Sequence, residues 1–241
     1  MPFKKVWRNL LNMKIKILGS RANIKIHQYK HELYTGILID DLILIDVGEE
    51  NFLNYKPKLI LITHYHPDHA FFVKEHFVLN NTAEIYGPEK NTFAPTAKII
   101  NQAINWNNYK ITPIETIHSI KVKSQGYVIE NKNKRLFFCS DMAWIKKDVQ
   151  NQLGQFDVII SEASHIKKGG FIFKNKKGEL YGHTGIPDLI KIFKNHTNRI
   201  VFIHQGSWFI RDIKSGTEKI KDLEEKNLSL EMAYDGQEYF I

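Results

Sequence analysis

The heptapeptide Thr63-His64-Tyr65-His66-Pro67-Asp68-His69 constrains this chain more than any other stretch. It follows directly on the apolar run Leu59-Ile60-Leu61-Ile62, so three imidazoles and a carboxylate are delivered where a buried strand ends. Nitrogen and carboxylate donors at this density suit a borderline divalent ion such as zinc, with manganese and iron as further candidates. In an extended segment the side chains of residues 64 and 66 point the same way, and residue 68 follows two positions on. A turn at Pro67 redirects His69. The spacing predicts one loop serving two metals, His64 and His66 on the first, Asp68 and His69 on the second.

The 241 residues suffice for one large domain or two small ones, and 43% hydrophobic with 25% charged residues is ordinary for a soluble globular chain. The single cysteine, Cys139, excludes an internal disulfide framework and a multi-cysteine zinc site, and fits a cytoplasmic location. No apolar run approaches the roughly eighteen residues of a membrane span. Residues 1–8, Met-Pro-Phe-Lys-Lys-Val-Trp-Arg, lack the pattern of a signal peptide. Residues 1–12 read as a short basic arm and 13–241 as one domain. The net charge of +8 favours an anionic partner, although richness in Lys, Asn and Ile also follows from the base composition of a genome.

Apolar runs and turn residues predict strands at 15–18, 34–39, 42–46, 58–63, 84–86, 109–117, 119–130, 134–140, 158–162, 199–204, 229–233 and 237–241. Asp40-Asp41 reads as a tight hairpin turn. Helical spacing is expected over 70–76, 94–104, 186–193 and 214–226, with Pro187 placed in a first turn. Strand-rich halves, each followed by helices, predict two packed sheets with helices outside. Polar candidates recur where apolar strands stop, at His64, Asp141, Glu162 and His204. Taken singly, His118, Asp141 and His204 have bland explanations as hydrogen-bonded structural residues; together they supply the donors a two-metal site still lacks.

In this order the residues resemble the metallo-β-lactamase-fold hydrolase superfamily, whose His-x-His-x-Asp-His motif matches residues 64–69. Its later His, Asp and His ligands match His118, Asp141 and His204, and the likeness extends to Leu44-Ile45-Asp46-Val47-Gly48 and Ala233-Tyr234-Asp235-Gly236. The resemblance implies an α/β fold, a four-layer αββα sandwich of two mixed β-sheets with helices on the outer faces. It implies one metal on His64, His66 and His118, a second on Asp68, His69 and His204, Asp141 bridging, and Asp46 supporting them from behind.

Ser161-Glu162-Ala163-Ser164 followed by Tyr181-Gly182-His183-Thr184 is similar to the phosphodiesterase branch, RNase Z-type enzymes included. That likeness implies a Glu162–His183 pair near a scissile phosphate, and Asp68, Glu162 and His183 as the catalytic residues. The expected substrate is an anionic phosphodiester, with RNA and cyclic nucleotides as candidates, no membrane partner, and a homodimer compatible with the sequence. His183-Thr184-Gly185 matches the branch only in part, and the tRNA-gripping arm of RNase Z-type enzymes has no long counterpart here. The smaller cyclic-phosphate phosphodiesterases are also similar, but this chain lacks the cysteines of their extra structural zinc.

Two other readings stay open: hydrolysis of an ester, lactone or thioester on the same metals, and a nucleic-acid-binding module with little activity. The lysine-rich stretch 167–177 reads as a solvated β-hairpin whose Phe171 and Phe173 pack on the domain, the alternative being a lid that contacts RNA. Cys139 reads as core, His165 has no assigned role, His27, His31, His76 and His196 read as surface or structural, and Trp144, Trp208 and Phe209 suit pocket or core equally.

Overall fold

A computed structural model describes residues 12–241. The basic arm expected at 1–12 therefore lies, but for Asn12, outside the described residues.

Strands β1 (Lys14–Gly19), β2 (Gly36–Ile39) and β3 (Ile43–Ile45) pair antiparallel. Asp40 and Asp41 both have positive φ (49° and 58°), and the amide of Leu42 donates to the carbonyl of Ile39 at 2.9 Å. That is the two-residue hairpin turn whose twist matches its strands. Beyond a 3-10 turn (Glu50–Tyr55), β4 (Leu59–Leu61) runs parallel to β3. The short helix α1 (Phe71–Lys74) then leads to β5 (Glu84–Gly87) and β6 (Lys98–Ile99), both parallel to β4.

The second sheet begins with β7 (Ile104–Trp106), β8 (Tyr109–Thr116), β9 (Ser124–Asn131) and β10 (Lys134–Cys139), each antiparallel to the last. After α2 (Lys147–Gln152), β11 (Val158–Ala163) joins β10 in parallel. A separate two-stranded ribbon follows, β12 (Phe171–Lys174) and β13 (Leu180–His183). Then α3 (Ile186–Phe193) precedes β14 (Arg199–Gln205), which lies parallel beside β11. Helices α4 (Ser207–Ile210) and α5 (Ile213–Lys221) and strand β15 (Ser229–Met232) complete this half. Finally β16 (Glu238–Phe240) returns to the first sheet beside β1.

Three apolar layers hold the two sheets and their helices together. Ile15, Ile37, Ile45 and Leu61 meet Ile129, Phe138, Ile160 and Ile203 between the sheets. Behind the first sheet, Leu38, Leu44 and Ile60 pack on Phe52 and Phe72. Behind the second, Phe137, Ile159, Ile200 and Phe202 pack on Ile186, Leu189 and Phe193 of α3 and Ile220 of α5. Successive residues of one strand thus serve different layers: Leu136 and Phe138 face the other sheet, while Phe137 faces the helices. Each such side chain, fully buried, stabilises by roughly 1.5–3 kcal/mol. This is the expected αββα sandwich of two mixed sheets.

The helix expected over Ala94–Ile104 is absent. Pro95 would fall in the first turn of such a helix and is no obstacle to it, yet the segment pairs Tyr86 with Lys98 and sends the amide of Ile100 to the carbonyl of Gly87. Strand pairing next to β5 outweighs a weak helical period. The last helix is shorter than expected, ending at Lys221, and Asp212 caps it by accepting from the amide of Ser215 at 3.0 Å. The strand expected from Ser119 starts at Ser124.

Strand direction places the site. Because β9 opposes both β8 and β10, the strands β8, β10, β11 and β14 all run one way, and their carboxyl ends share an edge. Crevices at such ends are where open α/β sheets bind ligands. Asp235, just before β16, pins the N-terminal strand there by accepting from the amides of Ser20, Glu32 and Leu33 at 2.8–2.9 Å.

Candidate active site

The loop after β4 turns on a buried carboxylate. Asp46 has φ of 60°, a left-handed conformation that Asp tolerates better than most residues, and no exposed surface. Its oxygens accept from the amide of Thr63 (2.8 Å), from Thr63 Oγ1 (2.8 Å) and from His69 Nδ1 (2.8 Å). Thr63 Oγ1 in turn lies 3.0 Å from His64 Nδ1. Gly48 is required nearby, since a Cβ there would come within 2.6 Å of the carbonyl oxygen of Asp68.

The structure brings together all of the residues expected to bind metal. On one side His64 Nε2 and His118 Nε2 each lie 3.1 Å from His66 Nδ1. On the other, His204 Nε2 is 3.0 Å from Asp68 Oδ2, with His69 Nε2 3.7 Å from the same oxygen. Asp141 stands between the sets. Its Oδ2 is 3.8 Å from His64 Nε2 and 3.5 Å from His118 Nε2, while its Oδ1 is 3.2 Å from His69 Nε2. Potential ligand atoms of His64, His66, His118 and Asp141, and likewise of Asp68, His69, Asp141 and His204, lie within 4.8 Å of one another.

The protonation pattern suits cations. His118 Nδ1 faces the carbonyl of Gly182 at 3.0 Å and His69 Nδ1 faces Asp46, both acceptors only, so each Nδ1 carries a proton and Nε2 is the nitrogen turned toward the cluster. His69 Nε2 is buried with no hydrogen-bond partner among the described residues. The single proton of a neutral His66 cannot serve both His64 Nε2 and His118 Nε2 fully, whereas a divalent ion would satisfy the converging nitrogens together. Burial and mutual repulsion hold His64 well below its ordinary pKa and bring His66 down to about 4, with His118 lowered by burial as well. Burial opposes ionisation of Asp68 and Asp141, but His69 and His204 outweigh it, bringing Asp68 to about 2 and holding Asp141 well below the usual carboxylate range. Asp141, Asp46 and Asp68 outweigh burial at His69 and hold its pKa well above the ordinary value, so a metal ion bound there would displace a proton from its Nε2.

His204 reaches the cleft through backbone strain. It has φ of 48°, and the register of β11 against β14 slips there, Glu162 opposing Ile203 and Ala163 opposing Gln205. The extra residue forms a bulge that re-aims the imidazole. Ser164 Oγ sits 2.9 Å from His204 Nδ1 and 3.3 Å from His183 Nδ1. Sequence reasoning overlooked Ser164 and Thr63. Strand alternation, which puts residues 162 and 164 on one side, was the available signal for the first.

Glu162, with no exposed surface, directs Oε2 to His183 Nδ1 at 2.8 Å and accepts the amide of Met142 on Oε1 at 2.6 Å. Burial disfavours the charged form of His183, but the Glu162 carboxylate outweighs it, with Asp141 and Asp68 adding, and raises its pKa to about 9. With Nδ1 engaged, Nε2 is the ring nitrogen left for a ligand. His183 lines a cleft of about 460 Å³ with His66, Asp68, His118, Asp141, His165, His204 and Trp208.

Other candidates divide. Cys139 is fully buried, its Sγ 3.7 Å from Met142 Sδ, in the core behind the second sheet. Phe209 is core, edge-on to His31, while Trp208 borders the cleft. Trp144 is 38% exposed, and its backbone pairs with Ile117, beside His118. The ribbon phenylalanines overturn an expectation: Phe171 and Phe173 are 59% and 45% exposed, because β12 and β13 stand apart from both sheets and nothing covers them among the described residues. No described helix is long and apolar enough to cross a membrane.

Residues 53–204, more than half of the chain, match the sequence profile of the family described as "Beta-lactamase superfamily domain". A hydroxyacylglutathione hydrolase of Buchnera aphidicola subsp. Baizongia pistaciae (strain Bp) is 40% identical over 68 residues, 25% of this chain and 27% of that protein. The chain's match thus spans about a quarter of that relative's length. A diphosphatase of the PhnP family superposes with a TM-score of 0.69 at 15% identity, covering 96% of this chain and 98% of the other. Human tRNase Z, short form, superposes with a TM-score of 0.59 at 13% identity, covering 94% and 98%. With its four layers and its His/Asp cluster able to hold metal ions, the chain belongs to the beta-lactamase superfamily and has the metallo-β-lactamase fold.

Proposed function

We propose that this chain hydrolyses phosphodiesters with two divalent metal ions, zinc being the best match to the donors, and that His183 protonates the leaving oxygen. The observation that carries the reading is the 2.8 Å contact between His183 Nδ1 and Glu162 Oε2 at the wall of the cleft that both donor sets share. His64, His66 and His118 would hold one ion, Asp68, His69 and His204 the other, and Asp141 would reach both. Ions held there supply Lewis acidity, lowering the pKa of water and neutralising charge that develops on a phosphoryl group.

The chain's own residues do the rest. Glu162 accepts from Nδ1 of His183, which fixes the tautomer and favours the protonated imidazole, so Nε2 presents a proton to the departing oxygen. The pKa of His183, raised to about 9 beside Glu162, would come down toward neutrality with cations held by the donor sets, and a general acid is most effective there. The buried pair Asp46 and Thr63 orients His69 and His64, and the Gly182 carbonyl orients His118. A diphosphatase and a tRNase Z built on the same fold support a phosphoryl substrate.

A second reading, hydrolysis of an acyl ester or thioester, draws on the segment 40% identical to a hydroxyacylglutathione hydrolase. It gives the Glu162–His183 pair no evident task. The test compares bis(p-nitrophenyl) phosphate, whose leaving group departs readily, with diphenyl phosphate, whose leaving group needs a proton. His183→Ala should slow the second by roughly a hundred- to ten-thousand-fold and the first far less, at unchanged metal content. Equal losses on both, or metal lost in parallel with activity, would remove the acid role. Acyl-ester turnover without phosphodiester turnover would favour the second reading.

A further inference from the structure

The β12–β13 ribbon carries a line of rings that starts at His183. Residues opposite each other across an antiparallel pair share a face, and here Phe171 opposes His183 while Phe173 opposes Tyr181. The rings touch in sequence. His165, on the cleft wall, stacks on Phe171 at 5.2 Å and 22°; Phe171 meets Phe173 edge-on at 5.2 Å; Phe173 stacks on Tyr181 at 5.5 Å and 26°. Two of these side chains, Phe171 and Phe173, are about half exposed, neighbouring apolar surface that the two sheets and their helices leave open among the described residues.

The base of the ribbon is fixed and its tip projects. The amide of Gly182 donates to the carbonyl of His118 at 2.7 Å, and the carbonyl of Gly182 accepts from His118 Nδ1 at 3.0 Å. Gly182 has φ of 113°, and a Cβ there would lie 2.0 Å from the carbonyl oxygen of Phe171, so only glycine permits this strand to lie so close. The tip is a turn held by Asn175, whose Oδ1 accepts from the amides of Lys177 and Glu179.

Lys167 and Lys168 precede β12 and Lys176 and Lys177 stand in the turn, with Lys174, paired with Leu180, on the face opposite the rings; all are exposed and none is in an ion pair among the described residues. Lysines that neutralise phosphates, interleaved with rings that accept the π-face of any base, are how single strands are bound without sequence readout. A second copy of the chain is a poorer occupant. A two-fold contact built on this patch would bring both lysine clusters into one interface, and lysine is depleted from protein interfaces.

We propose that the β12–β13 ribbon docks single-stranded nucleic acid, bases stacked on Phe171, Phe173 and Tyr181 and phosphates met by the flanking lysines, leading one phosphodiester to His183. The proposal deepens the phosphodiesterase reading and rests on it for the last clause alone.

Binding is measured by fluorescence anisotropy on chelator-treated full-length protein, so that it does not depend on turnover. The probes are a short labelled oligouridylate and the same sugar–phosphate length without bases. Wild type should prefer the base-bearing strand by roughly tenfold or more. Phe171→Leu/Phe173→Leu keeps apolar bulk, removes the rings and should abolish the preference. Replacing Lys167, Lys168, Lys176 and Lys177 with Gln should weaken both probes together and flatten the salt dependence. Equal affinity for the two probes, no binding at low salt, or a preference that survives the double variant would each overturn the proposal. So would a dimer in sedimentation velocity that the double variant dissociates, since a second copy would then be the occupant. Oligouridylate binding with no phosphodiester hydrolysis would sink the catalytic reading and leave the docking surface standing; hydrolysis of bis(p-nitrophenyl) phosphate without binding would do the reverse.

Discussion

Nδ1 of His183 lies 2.8 Å from Oε2 of Glu162, and the other oxygen of that carboxylate receives the amide of Met142. One buried side chain therefore joins the outlying ribbon to the loop that follows Asp141. The imidazole is placed by a residue in the middle of the second sheet, whose position depends on β10 and β14 on either side of it.

Glu162→Gln tests that arrangement with almost no change of shape. The Met142 amide needs an acceptor, so the new carboxamide turns its oxygen there and its NH2 toward His183. Nδ1 must then accept, and the imidazolium loses its counter-charge. In metal-free protein the pKa of His183 should fall from about 9, read by NMR titration of the ring nitrogens. Turnover of diphenyl phosphate at neutral pH should drop roughly a hundredfold or more with metal content unchanged.

Ser164 Oγ, between His204 and His183, gives a different outcome. It lies 2.9 Å from His204 Nδ1, which Asp141 Oδ1 also faces at 3.2 Å, and as an acceptor there it would help to keep the proton on Nδ1 and leave Nε2 for an ion. Ser164→Ala should weaken binding at the metal set containing His204 by roughly 10–100-fold. Ser164→Thr, which restores the hydroxyl, should recover most of it. Competition against a zinc-sensitive dye measures both, and equal zinc affinities for wild type and Ser164→Ala would show that His204 needs no such partner.

Much of this was legible in the chain, for physical reasons. The turn at Asp40-Asp41 and the His64–His69 loop are local, set by residues within a few positions of one another. The layers could be read from apolar strands because alternation along a strand such as Leu136-Phe137-Phe138 states which faces are buried. What escaped is long-range. Residues Ala94–Ile104 carry a helical period, yet the open edge of β5 takes Lys98 and Ile99 out of it as a strand. The exposure of Phe171 and Phe173 depends on what does not cover them, which no local pattern records. Nothing in the composition of β14 announces the bulge that turns His204 into the cleft; it appears only in the register with β11.

Asp46→Ala should be the most damaging of the single changes away from the metal donors. It removes the acceptor for His69 Nδ1 and for the amide and hydroxyl of Thr63, leaving buried donors with no partner. Breaking a buried charged contact by removing one partner typically costs about 3–5 kcal/mol. Urea unfolding of the metal-free protein should show a loss in that range, while Thr63→Val, which keeps the carboxylate, should cost less. A loss below about 1 kcal/mol for Asp46→Ala would mean that water replaces the carboxylate freely.

His31, which is not one of the donors, also makes stability depend on pH. Its Nδ1 lies 2.6 Å from Gln205 Oε1 and its ring packs edge-on against Phe209, with 6% of its surface exposed. Burial lowers its pKa below 6.5, outweighing the Gln205 hydrogen bond and the nearby Asp235. The folded chain thus resists a proton that the unfolded chain accepts, and as pH falls through about 6.5 the unfolded state binds more protons and gains on the folded one. The contribution of His31 is fully present above that pH and is lost progressively toward the lower folded-state pKa. The histidines of the donor sets add pH dependence of their own, so the comparison is between wild type and His31→Gln, where those terms cancel. Between about pH 7.5 and pH 5.5 the urea midpoint of wild type should fall further than that of His31→Gln, even though the variant starts lower. Parallel shifts in the two proteins would show that His31 takes up its proton as readily in the folded state as in the unfolded one.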